Sequence, residues 1–173
     1  VGSEMCIRDR ITTIVKLAVE KILKKNVLVV GAGIKTGLNI RIDNPAQLGS
    51  DLVVDSVAAI VEYPAPLLIF DLGTANTVCV IDKNKNYIGG MIYPGIGVSL
   101  DSLTAHASQL GGISIEAPEH MIGKNTTECM KSGLIYSSAA AMDGIIDRLQ
   151  EQLGGEATVI ATGGLAKKIV PHC

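Results

Sequence analysis

Three short apolar runs follow one another with no helical stretch between them: Leu67-Leu-Ile-Phe-Asp71, Thr77-Val-Cys-Val-Ile-Asp82 and Tyr87-Ile-Gly-Gly-Met-Ile-Tyr93. Each is too short for a helix and is bounded by turn residues, so each reads as a strand. The gaps between them are too short for a crossover, so neighbours must run antiparallel, the second and third joined by the polar turn Lys83-Asn-Lys-Asn86. A Rossmann start needs a crossover helix after its first strand and is therefore disfavoured. Just upstream, Tyr63-Pro-Ala-Pro66 stops any helix and marks a linker.

The first strand delivers Asp71 to a turn. Gly73 removes a side chain at the bend, so backbone N–H groups can approach a phosphate, and Thr74 and Thr77 add hydroxyl donors beside it. A plain hairpin, with Asp71 and Thr74 satisfying turn amides, fits the same residues. Gly89-Gly90 inside the third strand signals a bulge or a close backbone approach.

Around this meander the pattern alternates helix and strand. Residues 11–25 carry Ile11, Ile14, Val15, Ala18 and Ile22 on one face, an amphipathic helix closed by lysines. Val27-Leu-Val-Val30 reads as a short buried strand, followed by the loop Gly31-Ala-Gly-Ile-Lys-Thr-Gly37. That loop matches neither the P-loop nor G-x-G-x-x-G spacing, and a structural turn explains it on pattern alone.

After Asn44-Pro45, Gly49-Ser-Asp-Leu52 opens a helix whose stripe is expected at Val53, Val54, Val57, Ala58 and Val61. Ser50 or Asp51 suits its N-cap, and a carboxylate there could equally take a proton from a substrate hydroxyl. A helix with Ile96, Leu100, Leu103, Ala107 and Leu110 on one face runs to Gly111-Gly112. Asn125, with Glu128 three residues on, caps the longest helix, which carries Met130, Leu134, Met142, Ile145, Ile146, Leu149 and Leu153 and stops at Gly154-Gly155. Thr158-Val-Ile-Ala161 is a buried strand ending at Thr162-Gly-Gly164, where glycines let a flat ring lie on the backbone or simply start a helix.

Composition narrows the classes. The chain has 173 residues, 47% hydrophobic and 18% charged, enough for a globular core. A net charge of -2 and 3% aromatics give no footprint for nucleic acid. No apolar run approaches the roughly 18 residues of a membrane span and no secretory signal is visible, which makes a cytoplasmic protein the expectation. The four cysteines and three histidines show no zinc spacing.

Taken in order, these segments resemble the acetate and sugar kinase/Hsp70/actin superfamily, where a hairpin such as Asp71-Leu-Gly-Thr-Ala-Asn-Thr77 binds phosphate. Within it they resemble type III pantothenate kinase, over roughly residues 27–165. The resemblance implies an α/β actin-like/ribonuclease H-like two-domain ATPase fold with its first domain truncated. Residues 1–10 look like translated adapter read-through, 11–63 like the remnant of the first domain, 64–66 like a linker and 67–173 like the second domain, truncated at its C-terminus. It implies ATP-dependent phosphorylation of pantothenate at the start of coenzyme A synthesis, with ATP, Mg2+ and a monovalent cation, K+ or NH4+, in a homodimer.

Carried over by position, Asp51 is the catalytic base. Gly49, Ser50, Asp51, Leu52 and Thr126 contact pantothenate. Gly73, Thr74, Gly163 and Gly164 bind ATP, and Asp71 holds a metal. Ile42 stands where the family often has an aromatic residue, and Leu52 where it often has Arg. The superfamily's first phosphate hairpin is missing, so this chain is expected to be nearly inactive while its intact parent is a kinase. The rivals are a non-catalytic accessory homologue of the same fold, against which Asp51 and Asp71 argue, and another enzyme of the superfamily, such as a sugar kinase, acetate kinase or exopolyphosphatase.

Overall fold

The computed structural model describes the backbone of residues 2–30 and 35–173, with side chains from residue 11 onward. It divides into two compact units, Val1–Ile34 and Lys35–Cys173. The Pro-rich stretch 63–66 thus lies inside the second unit.

The first unit is a single long helix, α1 (Gly2–Leu23), closed where Lys24 turns to a positive φ of 52° and its N–H bonds the Glu20 carbonyl at 2.9 Å. The expected inward stripe is not inward. Ile11, Ile14, Val15 and Ile22 are all more than half exposed. The strand expected at residues 27–30 is also absent. Val27 donates its N–H to the Glu20 carboxylate at 3.1 Å, and Leu28 is 77% exposed. A strand exists only where another strand completes its hydrogen bonds, and no described residue pairs with this run. The first four residues of the glycine loop 31–37 lie outside the described residues; of its glycines, Gly37 is described, with φ of +80°.

The second unit is a five-stranded mixed sheet covered on both faces. Its strands are β1 (Asn39–Ile40), β2 (Leu67–Leu72), β3 (Ala75–Ile81), β4 (Asn86–Pro94) and β5 (Thr158–Thr162), in the order β1-β4-β3-β2-β5. The meander β2-β3-β4 is antiparallel as expected, while β5 adds parallel to β2 and β1 parallel to β4. Interior β2 is bonded on both sides, and its Leu67, Leu68, Ile69 and Phe70 are at most 2% exposed. Strand β5, expected to be buried, is only partly covered because it bonds a neighbour on one side alone.

Asp82 organises the β3–β4 turn. Its Oδ1 accepts the N–H groups of Asn84 and Asn86 at 2.8 and 2.9 Å, and its Oδ2 accepts Asn86 Nδ2 at 2.8 Å. The bulge signalled by Gly89-Gly90 is present. Val80 faces Gly89 and Ile81 faces Tyr87, so Ile88 is the extra residue.

Helix α2 (Ser50–Glu62) covers one face of the sheet. Helices α3 (Ile96–His106), α4 (Thr126–Leu153) and the single turn α5 (Ala166–Ile169) cover the other, around Leu68, Phe70, Leu72, Ile135 and Met142. Asn125 caps α4 as its spacing predicts, accepting the Glu128 N–H at 2.9 Å, and Gly154 ends it in the left-handed region at φ of 76°.

Helix α2 departs from expectation in its rotation. Val54 and Val61 are 46% and 81% exposed, while Ser56 and Ala59 are buried. Ser56 turns inward because its hydroxyl has somewhere to go, donating to the Leu52 carbonyl at 2.7 Å.

Candidate active site

Asp71 sits at the C-terminal end of β2, paired across the sheet with Thr77 on β3 and Thr162 on β5. Because side chains alternate along a strand, Asp71 and Thr77 point to the face that α2 covers, the face of Ile69 and Cys79. Thr77 Oγ1 is buried there without a protein partner. A buried hydroxyl left unpaired costs roughly 1–3 kcal/mol, so it marks a place prepared for another oxygen or cation-bound water.

The turn Gly73-Thr74 is clamped by the start of α3. Gly95 donates its N–H to the Thr74 carbonyl at 3.0 Å, and a side chain at Gly95 would run into the carbonyl of Gly73. Gly163 approaches from the end of β5. A Cβ at this residue, already at φ of +93°, would lie 2.5 Å from Asp71 Oδ1 and 2.5 Å from the Leu72 N–H nitrogen. The segment is tied down by Leu165 N–H on the Leu72 carbonyl at 3.1 Å. Gly163, some ninety residues on, therefore meets Asp71 and Gly73 at one end of the sheet, with Thr74, Gly163 and Gly164 exposed.

Helix α2 brings the second carboxylate. Its N-cap is Gly49, with no side-chain capping bond, so neither Ser50 nor Asp51 serves as the cap. Asp51 lies in the first turn, exposed, its carboxylate folded back over Gly49 Cα. Four residues on, hence on the same face, Asp55 joins it. The Asp55 carboxyl is pushed above its ordinary range first by burial and then by the charges of Asp71 and Asp51. Asp51, Asp55 and Asp71 thus share one electrostatic site. The sequence reading missed Asp55; the i, i+4 spacing from Asp51 was the signal available.

Thr126 is not brought to this cluster. It is exposed at the start of α4, a helix that packs on the opposite face of the sheet from α2.

For a cation the donor set is sparse. Among the described residues no three His, Cys, Asp or Glu side chains are placed to hold a metal ion. One carboxylate beside an unpartnered hydroxyl fits an ion that takes most of its oxygens from phosphate and water, as Mg2+ does in nucleotide sites. The open glycine turns at Gly73 and Gly163 fit a nucleotide laid against backbone.

Strand order, antiparallel meander and parallel return define a mixed α/β fold of the actin-like ATPase class. A solved structure shares the fold: a protein described as a Baf family transcriptional activator from Campylobacter jejuni aligns at a TM-score of 0.51 and 19% identity, over 80% of this chain and 59% of that one. The family model for type III pantothenate kinase matches residues 6–148, and the chain belongs to that family. It is 48% identical to a type III pantothenate kinase of Bacillus cytotoxicus over 150 residues and 48% identical to one of Exiguobacterium sp. over 145, covering 87% and 84% of this chain. The chain spans 57% of the length of each of these relatives. No helix among the described residues is long and apolar enough to cross a membrane.

Proposed function

We propose that the full-length protein is an ATP-dependent pantothenate kinase, with Asp51 as its general base. The observation that carries this reading is that Asp51 is spared any capping role and lies within the electrostatic reach of a group, Asp55, that also feels Asp71. Asp55 thereby links the start of α2, where Asp51 lies, to the strand end whose turn suits phosphates.

In the reaction Asp51 accepts the proton of the pantothenate primary hydroxyl as that oxygen attacks the γ-phosphorus of ATP. The bond from the γ-phosphorus to the bridging β,γ oxygen breaks, and ADP leaves. Thr74 and the Gly73 backbone donate to phosphate oxygens, Gly163 and Gly164 flank the adenosine, and Gly49, Ser50 and Leu52 hold pantothenate. Asp71 would hold a cation, Mg2+ or the K+ or NH4+ of the family pattern, which when bound neutralises phosphate charge. Residues 11–63 then belong to the first actin-like half and 67–173 to the second, and the protein works as a cytoplasmic homodimer.

The test follows ADP release with Mg2+-ATP, with and without pantothenate, in potassium and in sodium. Pantothenate-dependent release is expected, higher in potassium, and Asp51→Asn is expected to reduce kcat by about 10²–10⁴-fold. Absence of pantothenate-dependent turnover in a folded full-length protein would sink the reading.

A further inference from the structure

The turn between β3 and β4 lies at the end of the sheet away from Asp71, since β3 runs from Thr77, opposite Asp71, to Ile81, opposite Leu67. Its Asn86 is 5% exposed, and both ends of the side-chain amide are used. Nδ2 donates to Asp82 Oδ2 at 2.8 Å inside the turn, while Oδ1 accepts Asn39 Nδ2 from β1 at 2.6 Å. That contact opens a short parallel ladder in which Asn39 faces Asn86, Ile40 faces Tyr87 and Arg41 donates its N–H to the Tyr87 carbonyl at 2.8 Å. Strand β1 is only two residues long, so the side-chain bond is a large share of what fixes its register.

The neighbouring residue reaches a different element. Lys85 Nζ donates to the Ile60 carbonyl in the last turn of α2 at 3.2 Å. That carbonyl needs an outside donor, because the residue whose N–H a continuing helix would supply to it is Pro64. Lys85 stands at φ of 62°, in the left-handed region that L-residues avoid, with its N–H held on the Asp82 carbonyl at 2.9 Å. Glycine or asparagine would fill such a turn position at less cost, and neither carries a cation to the negative end of a helix.

One turn therefore holds a single stretch of chain at both ends, Asn86 its start at Asn39 and Lys85 its end at Ile60, with Asp51 and Asp55 between them. We infer that Asn39, Asn86 and Lys85 form a clamp that fixes the stretch 39–60 against the sheet from the end opposite Asp71, and so sets where the start of α2 stands at the candidate site. The apolar contacts of α2 with the sheet, through Leu52, Ala59 and Ile60, are non-directional and tolerate sliding. Directed bonds at two points do not. These are positioning residues acting through Asp51, and that catalytic consequence rests on the kinase reading; the clamp itself does not.

The test has two arms. In the 173-residue chain, amide hydrogen exchange is read at Arg41 for the β1 end and at Tyr63, whose N–H bonds the Ala59 carbonyl at 2.9 Å, for the helix end, with residues 68–70 of β2 as reference. Loss of one net hydrogen bond corresponds to about threefold to tenfold, so Asn39→Ala is expected to lower protection at Arg41 by that factor. Lys85→Met, which removes an exposed cation from a helix end, is expected to lower protection at Tyr63 by about twofold to fivefold. Both variants leave β2 unchanged, and Lys85→Arg, which keeps a donor, holds the protection that Lys85→Met loses.

In the full-length protein, Asn39→Ala and Lys85→Met are each expected to lower kcat by about twofold to tenfold with KM for ATP unchanged, because the Gly73-Thr74 turn is held by Gly95 rather than by the clamp. Unchanged protection at either end overturns the clamp, as does a loss shared equally by β2, which marks general destabilisation. Lost protection with an unchanged kcat, or with a raised KM for ATP, overturns the positioning role. Should the unsubstituted enzyme show no pantothenate-dependent turnover, the kinase reading falls and the exchange arm alone decides the clamp.

Discussion

Two four-residue runs in this chain look alike in sequence and end differently. Val27-Leu-Val-Val30 and Leu67-Leu-Ile-Phe70 are both uninterrupted apolar stretches with the length and residue types of a buried strand. The second lies in an interior strand of the sheet, bonded to β3 and β5 and covered on both faces. The first has no strand neighbour among the described residues, and Leu28, Val29 and Val30 are 77%, 39% and 39% exposed. An apolar run states a demand for burial, and the rest of the fold decides whether it is met.

The comparison is broken most directly by truncating one residue in each run. Phe70→Ala is expected to destabilise the 35–173 unit by about 3–5 kcal/mol, because Phe70 is fully buried, whereas Leu28→Ala should cost less than about 0.5 kcal/mol. Urea denaturation of the two variants measures both. Similar losses would mean that residues 27–30 are covered in solution after all.

A smaller effect sharpens the other half of the comparison, since β2 owes its second row of backbone bonds to β5. Gly163→Ala places a methyl 2.5 Å from Asp71 Oδ1 and 2.6 Å from the Leu72 carbonyl, at a φ that L-residues avoid. A loss of about 1–3 kcal/mol is expected, with weakened ATP binding in the full-length protein. Calorimetry and nucleotide titration check it.

The smallest effect lies at the polar end of the same face. The folded-state pKa of Asp55 is raised by burial and by Asp71 and Asp51, so the fold holds its proton more tightly than the unfolded chain does. Its contribution to stability is therefore present below the ordinary value of 3.8 and lost as pH rises through the raised one. Above that raised value the charged carboxylate opposes folding, and there Asp55→Asn is expected to raise Tm by about 1–3 °C. The gain should shrink on acidification and vanish below the ordinary carboxylate value; a gain independent of pH would remove Asp55 from the electrostatic site.

Much of the candidate site was readable without coordinates because it depends on local chemistry. Asp71 follows a buried run and precedes a glycine turn, and Asn125 and Gly154 bound α4 by capping rules that need only their own neighbours. The rotation of α2 was not readable. Its valines outnumber its other inward candidates, yet Ser56 faces the sheet, its hydroxyl satisfied on the Leu52 carbonyl of its own helix, and Val61 faces solvent. The same rotation places Asp55 near Asp71, which no valine-based stripe would suggest.

Sequence thus carried what short-range sterics and hydrogen bonding dictate: the antiparallel meander, the β-bulge at Gly89-Gly90, the ends of α4 and a carboxylate at a phosphate-suited turn. Long-range packing settled the rest. It left residues 27–30 without a strand partner, turned α2 onto Ser56, placed Thr126 on a helix of the opposite face and set Gly163 against Asp71. Those outcomes depend on which distant groups supply a hydrogen bond or fill a volume, and that information resides in the contact rather than in either segment.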